Sequence, residues 1–149
     1  MSYVPLRLQP GSDLRQSLEA AVSANSETSA FVVSGIGSLT NARLRFAGAE
    51  SETSLPGMFE ILCISGTLTP NGAHLHMAIA DQHGHVVGGH VCYGNTIRTT
   101  AEVLLSRPTE WTLAREHDTN TGFNELVVRP LGKHTDSAAL YLPEDRKRE

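Results

Sequence analysis

The feature that most constrains this 149-residue chain is the strand-like alternation between Phe59 and Tyr93, interrupted by two turns. Phe59 to Gly66 is apolar and β-rich, and Asn71-Gly72 is a hairpin-turn pair. Ala73 to Ala80 alternates apolar and polar residues, Asp81-Gln82-His83-Gly84-His85 reverses the chain, and Val86 to Tyr93 runs back. A chain with this pattern must build an antiparallel sheet.

That hairpin carries the chemistry. His74 and His76 are two residues apart, so in a strand both point to one face. Ala73, Leu75 and Met77 face the other way. If Asp81 to His85 form a five-residue loop, Ala80 faces Val86, His76 faces His90 and His74 faces Cys92. Cross-strand partners hold their Cβ atoms about 4.5–5.5 Å apart, so three imidazoles converge. A bulge at Gly88-Gly89 would shift this register. Three neutral imidazoles suit Zn²⁺ or another borderline divalent metal and leave one position open. The competing reading is three ordinary histidines in structural roles. Gly88 and Gly89 allow close backbone approach beside the cluster. His83 and His85 fall on the loop tip, and His117 and His134 have no paired partner, so these four are read as exposed or structural.

Elsewhere, Tyr3 to Leu8 alternates around Pro5 and suits an edge strand. Ser12 or Asp13 caps a helix whose apolar stripe is Leu14, Leu18, Ala21 and Val22, ending near Ala24-Asn25. Ala30 to Ser34 and Ala42 to Phe46 read as separate short strands, and Gly48 to Gly57 as a polar connection turning at Pro56-Gly57. Arg98 to Leu105 fits helix or strand, and Thr99, Thr100 and Val103 favour strand. Trp111 to Ala114 and Glu125 to Val128 are further short strands. The whole is an α+β domain, a mostly antiparallel sheet packed with one main helix over residues 1–130, followed by a polar tail over 131–149.

Composition narrows the function. A net charge of −4 disfavours a domain that binds nucleic acid through its own charge, since phosphate affinity needs clustered Lys and Arg. The one basic cluster, Arg146-Lys147-Arg148, reads as solvated tail. Cys63 and Cys92 sit in apolar sequence and form no CxxC pair, so no disulfide framework is indicated. No basic leader and no apolar run of about 18 residues is present, and the expected location is the cytoplasm.

Weaker candidates surround the histidines. Ser34-Gly35-Ile36-Gly37-Ser38 lacks the third glycine of a dinucleotide fingerprint and the Lys of a P-loop, so close packing is its expected role. Cys92 is a candidate fourth ligand or a small buried apolar residue. Glu60 and Glu102 are candidate bases or structural carboxylates on strands.

Pro10-Gly11-Ser12-Asp13-Leu14, Ser34-Gly35-Ile36-Gly37-Ser38-Leu39, Ala42-Arg43-Leu44-Arg45 and Gly57-Met58-Phe59-Glu60-Ile61-Leu62 occur in that order. Ser65-Gly66-Thr67-Leu68, Gly72-Ala73-His74-Leu75-His76 and Gly88-Gly89-His90 follow, then Ala101-Glu102-Val103 and Thr121 to Leu126. Together they resemble the PPC (plants and prokaryotes conserved) domain, also called DUF296, from about Arg7 to Val128. The resemblance implies a largely antiparallel sheet beside a helix and assembly as a homotrimer. It implies a metal at His74, His76 and His90, as in some standalone prokaryotic members. It marks Gly57, Met58, Phe59, Glu60, Ile61 and Leu62 as an interaction segment. Plant members carry AT-hooks for DNA, and this chain has no Arg-Gly-Arg-Pro core, so a DNA-binding label borne by the family is weakly founded here.

The first expected role is therefore a homotrimeric metal-binding domain acting in protein interaction or regulation. The fold also resembles that of acetolactate decarboxylase, which gives a second reading. In it, a zinc-dependent lyase or hydrolase acts on a small carbonyl or carboxylate substrate, with Glu60 or Glu102 as base and Arg98 on the substrate. The third is a metal-free interaction module.

Overall fold

The computed structural model describes residues 2–23 and 29–132. Of the expected 131–149 tail, residues 133–149, with His134 and the basic cluster, lie outside the described residues.

The elements run β1 (Ser2–Leu8), α1 (Leu14–Ser23), β2 (Ala30–Arg45), β3 (Thr53–Thr69), β4 (Gly72–Asp81), β5 (Val86–Val91), β6 (Thr96–Arg107), β7 (Trp111–His117) and β8 (Asn124–Pro130). The first six strands form one sheet in the order β1-β6-β2-β3-β4-β5, and β7 and β8 form a separate hairpin. All described pairings are antiparallel. β1, with its proline, lies at the sheet edge as expected.

The sheet curls until β5 meets the end of β2. The same edge of β2 is used twice: Phe31 to Asn41 pairs with β6, and Leu44 and Arg45 pair with Val91 and His90 of β5. Strands β2, β3, β4 and β5 therefore close a ring.

Inside the curl lies the core. Alternation puts Ala73, Leu75, Met77 and Ile79 of β4 inward, against Leu39, Leu44, Ile61, Ile64 and Leu68. Helix α1 adds Leu14, Leu18 and Val22, spaced by four residues on one face and almost fully buried. Burying each such Leu is worth about 1.5–3 kcal/mol. Asp13 starts the helix. Its Oδ1 accepts the Gln16 amide at 2.8 Å as an N-cap, and Oδ2 accepts the Gly94 and Asn95 amides at 2.6 and 3.0 Å. One carboxylate thus caps α1 and ties it to the chain between β5 and β6.

Three strand expectations change. The two short strands expected between Ala30 and Phe46 are one strand, β2. Its glycines lie where neighbours press in: a Cβ on Gly37 would sit 2.7 Å from the Ala101 Cα, and one on Gly35 would collide with the Ile64 side chain. Likewise Pro56-Gly57 is not a turn but part of β3, with Pro56 opposite Asn41 beside a register shift. A proline lacking its amide is tolerated at such an irregularity. Cys63, expected in apolar surroundings, is exposed, because a register shift between Ile61 and Cys63 turns it outward.

A candidate metal centre on the sheet face

The β4–β5 hairpin adopts the register read from the sequence. Ala80 pairs with Val86, Ala78 with Gly88 and His76 with His90, with no bulge at the glycines. The glycines are needed for closeness: a Cβ on Gly88 would lie 2.9 Å from the Met77 carbonyl oxygen, and one on Gly89 2.8 Å from that of Arg45.

His74, His76 and His90 gather on the outer face. Their ring centroids are 5.0 to 5.5 Å apart, and the Nε2 atoms of His74 and His76 are within hydrogen-bond distance at 3.0 Å. One nitrogen from each ring lies within 4.8 Å of the others. Around a tetrahedral Zn²⁺ with Zn–N near 2.0–2.1 Å, ligand nitrogens are about 3.3–3.4 Å apart. Small side-chain rotations would bring this triad to that spacing. The donor set fits such an ion: three imidazoles on two adjacent, hydrogen-bonded strands.

The surroundings of His74 and His90 favour the neutral ring, the form that ligates metal. Burial pushes the His74 imidazolium down, helped by the Arg115, His76 and Arg45 charges and opposed by Glu125. Burial pushes His90 further, to about 4, with His74, Arg45, Arg15 and His76 adding to the effect.

Arg15 of α1 positions both strands. Its Nη1 donates to the Val91 carbonyl at 2.9 Å and its Nη2 to the Ala73 carbonyl at 3.2 Å. Those carbonyls adjoin His90 and His74, where the β4–β5 ladder has just ended. Glu19 holds the guanidinium at 3.0 Å, and Tyr93 lies under it at 4.6 Å and donates its hydroxyl to Glu19.

Two further arginines flank the triad. Arg45 is the cross-strand partner of His90. Arg115 comes from β7, where the Asn71 side chain accepts its amide at 3.0 Å and donates to its carbonyl at 2.7 Å. Sequence reasoning missed both, together with Glu125. Arg45 reaches the site only through the β2–β5 pairing, and Arg115 and Glu125 only through the docked β7–β8 hairpin, so local pattern carries no signal for them.

Other sequence candidates lie elsewhere. His74 does not face Cys92, because the ladder stops at His76–His90 and Cys92 turns to donate its amide to the Arg43 carbonyl. Its thiol is pushed up by burial and by Glu52, and it does not join the cluster as a fourth ligand. Glu60 pairs with Ala80, four residues along β4 from His76, or about 13 Å at strand spacing. Glu60, Glu102 and Arg98 instead share a separate concavity with Ser38, Leu62 and Thr99. They are not positioned as base and substrate clamp for the triad. Of the interaction segment, Gly57, Met58, Glu60 and Leu62 are exposed while Phe59 and Ile61 point into the core. His83 and His85 are exposed on the loop tip, as expected, and Asp81 binds both of their amides.

Known proteins resemble this chain in sequence and fold. Over 131 residues the chain is 42% identical to the Bifunctional protein GlmU of two Synechococcus strains, covering 88% of this chain and 21% of each relative. The chain thus spans about a fifth of the length of these curated relatives. A solved Salmonella enterica structure superposes with a TM-score of 0.83 at 38% identity, covering 87% of this chain and 94% of that one. A metal-containing protein of Archaeoglobus fulgidus has the same fold, with a TM-score of 0.72 at 24% identity, over 85% and 94% of the two chains. So does a candidate DNA-binding protein of Bacteroides thetaiotaomicron, with a TM-score of 0.75 at 17% identity, over 84% and 91%. Residues 1–107 match the Plants and Prokaryotes Conserved (PCC) domain, and the chain belongs to that family.

Proposed function

We propose that this PCC-domain protein holds a divalent metal, zinc by donor type, at His74, His76 and His90, and acts as a binding or regulatory domain. The observation that carries this reading is the convergence of the three imidazoles on two hydrogen-bonded strands, all within 4.8 Å. The metal-containing character of the Archaeoglobus protein of the same fold supports it.

The reading includes a homotrimer in the cytoplasm. Its support is a set of exposed apolar side chains on the sheet strands. Tyr3, Ser106, Phe31, Thr67 and His74 are successive cross-strand partners and so share one face. Tyr3, Phe31, Val33, Ile36, Met58 and Leu62 are all exposed. Exposed apolar side chains in this number are a feature of protein contact surfaces. No helix among the described residues is long and apolar enough to cross a membrane.

A zinc-dependent lyase or hydrolase, by fold analogy with acetolactate decarboxylase, is the second reading. The open ligand position favours it, but the separation of Glu60 and Glu102 from the triad removes the base assigned to it. Metal analysis of the purified protein tests the first reading, with His90→Ala as partner. Stoichiometric metal lost in the variant is the expected result. Metal-free protein with no thermal shift on adding zinc would refute it, and full occupancy in the variant would refute the ligand assignment.

A further inference from the structure

Positive groups outnumber negative ones around the triad, with Arg15, Arg45 and Arg115 set against Glu19 and Glu125. The histidines bring no negative group, and none of the three ligand positions is a carboxylate. Three arginines lie around the site, and two have their charge committed. Arg15 is paired with Glu19 at 3.0 Å. Arg115 is paired with Glu125 at 3.6 Å and also donates to the Asn124 carbonyl. Arg45 is exposed and makes no ion pair among the described residues. Its place is fixed by backbone pairing: it is opposite His90, which is opposite His76, so all three side chains leave the same face in one row. Its charge acts on both His74 and His90. Thr67 and Ser65, partners of His74 and His76 on β3, add hydroxyls to the same face.

We propose that the three-histidine centre takes a small oxyanion, a carboxylate or phosphate group, as its exogenous ligand, and that Arg45 selects it. The inference rests on the metal reading above. Three neutral imidazoles leave the full double charge of a divalent ion uncompensated, and an uncommitted guanidinium stands one strand away. An oxyanion satisfies both, one oxygen toward the metal position and the others toward the Arg45 fork. Arginine presents the planar pair of donors that carboxylate and phosphate oxygens match. A neutral ligand would leave two like charges facing each other across the sheet.

The sign of the Arg45 effect makes this testable. Arg45 repels the metal and attracts the anion. Replacing it should therefore leave metal affinity equal or higher while weakening the anion. The assay loads wild-type, Arg45→Gln and Arg45→Lys proteins with Co²⁺. Metal affinity is read by chelator competition. Acetate, formate and inorganic phosphate are then titrated at constant ionic strength while the Co²⁺ visible spectrum is followed. Wild type should show a saturable spectral change with at least one probe. Arg45→Gln should weaken it by about tenfold or more, the loss expected for one charge-assisted hydrogen bond, with no loss of metal affinity. Arg45→Lys should retain part of the response. A wild-type protein that holds Co²⁺ but responds to no probe overturns this proposal and leaves the metal reading standing. So does an anion response unchanged in Arg45→Gln. Failure to hold Co²⁺ at all removes the metal reading and this one with it. Equal loss of metal and anion affinity in Arg45→Gln would make Arg45 merely structural and refute its selecting role.

Discussion

Replacing Arg15 with alanine should destabilise the protein well beyond an ordinary surface change. The side chain belongs to a helix, yet its two Nη atoms hold carbonyls on β4 and β5 at 3.2 and 2.9 Å. Hydrogen bonds from a charged donor contribute about 1.5–3 kcal/mol each. The Arg15 side chain is only 15% exposed, so solvent screens these bonds little, and even the lower half of that range makes the pair worth about 3–4 kcal/mol. The Tyr93 ring beneath it adds about 0.5–1 kcal/mol. Losing the Glu19 pair adds little, because Glu19 can turn to water. The total is about 4 kcal/mol, a large share of the 5–15 kcal/mol available to a typical domain. Urea unfolding of the metal-free protein measures it as a fall in midpoint at unchanged slope. Arg15→Lys is the matching control. A lysine lacks the planar fork whose two nitrogens reach the two carbonyls separately, so it should recover less than half the loss. A loss below about 1 kcal/mol in Arg15→Ala, the size of an ordinary surface effect, would refute the idea that this residue clamps the histidine-bearing strands.

Two further outcomes follow from the geometry. Gly66→Ala should cost about 3 kcal/mol or more, among the larger single-residue effects, because Gly66 has φ +140° and a Cβ there would meet the His74 carbonyl and lie 2.9 Å from the Leu75 Cα; calorimetry reads the loss, and near-native stability would refute the close approach of β3 to β4. The metal-free protein should also weaken in acid. His90 takes up a proton near 6.5 when unfolded but only near about 4 when folded, so between those values the unfolded chain binds more protons. Its contribution is fully present above 6.5 and is lost as pH falls toward 4, and His90→Gln should flatten that part of the stability profile.

The hairpin register was legible because everything that sets it is local. Two histidines at strand period and a five-residue loop fix which side chains meet, and the observed pairs follow. Helix α1 was legible for the same reason, through Asp13 and the stripe from Leu14 to Val22. What stayed hidden depends on contacts between distant segments. Gly35, Gly37, Pro56 and Gly57 break strands by local preference, yet β2 and β3 run through them because neighbouring strands need the space or a register shift absorbs the proline. Loop length aligns Cys92 with His74, but the Cys92 amide pairs with Arg43 of β2 instead. Arg45 could be placed only once the sheet was known to close on itself.

The β7–β8 hairpin lies outside the 1–107 family match and is fastened at the triad end through one amide side chain. Asn71 gives and takes one hydrogen bond with the backbone of Arg115, as a peptide group in a neighbouring strand would. An amide side chain supplies the donor and the acceptor from two separate atoms, as this pair of bonds uses them. Hydrolysis to aspartate would keep the acceptor and turn the donor into a second acceptor facing the Arg115 carbonyl. Asn71 is exposed and precedes Gly72, the sequence context in which such hydrolysis is sterically least hindered. Chemical ageing at one exposed amide would thus loosen the hairpin that carries Arg115 and Glu125 to the histidines, while leaving the six-stranded sheet itself intact.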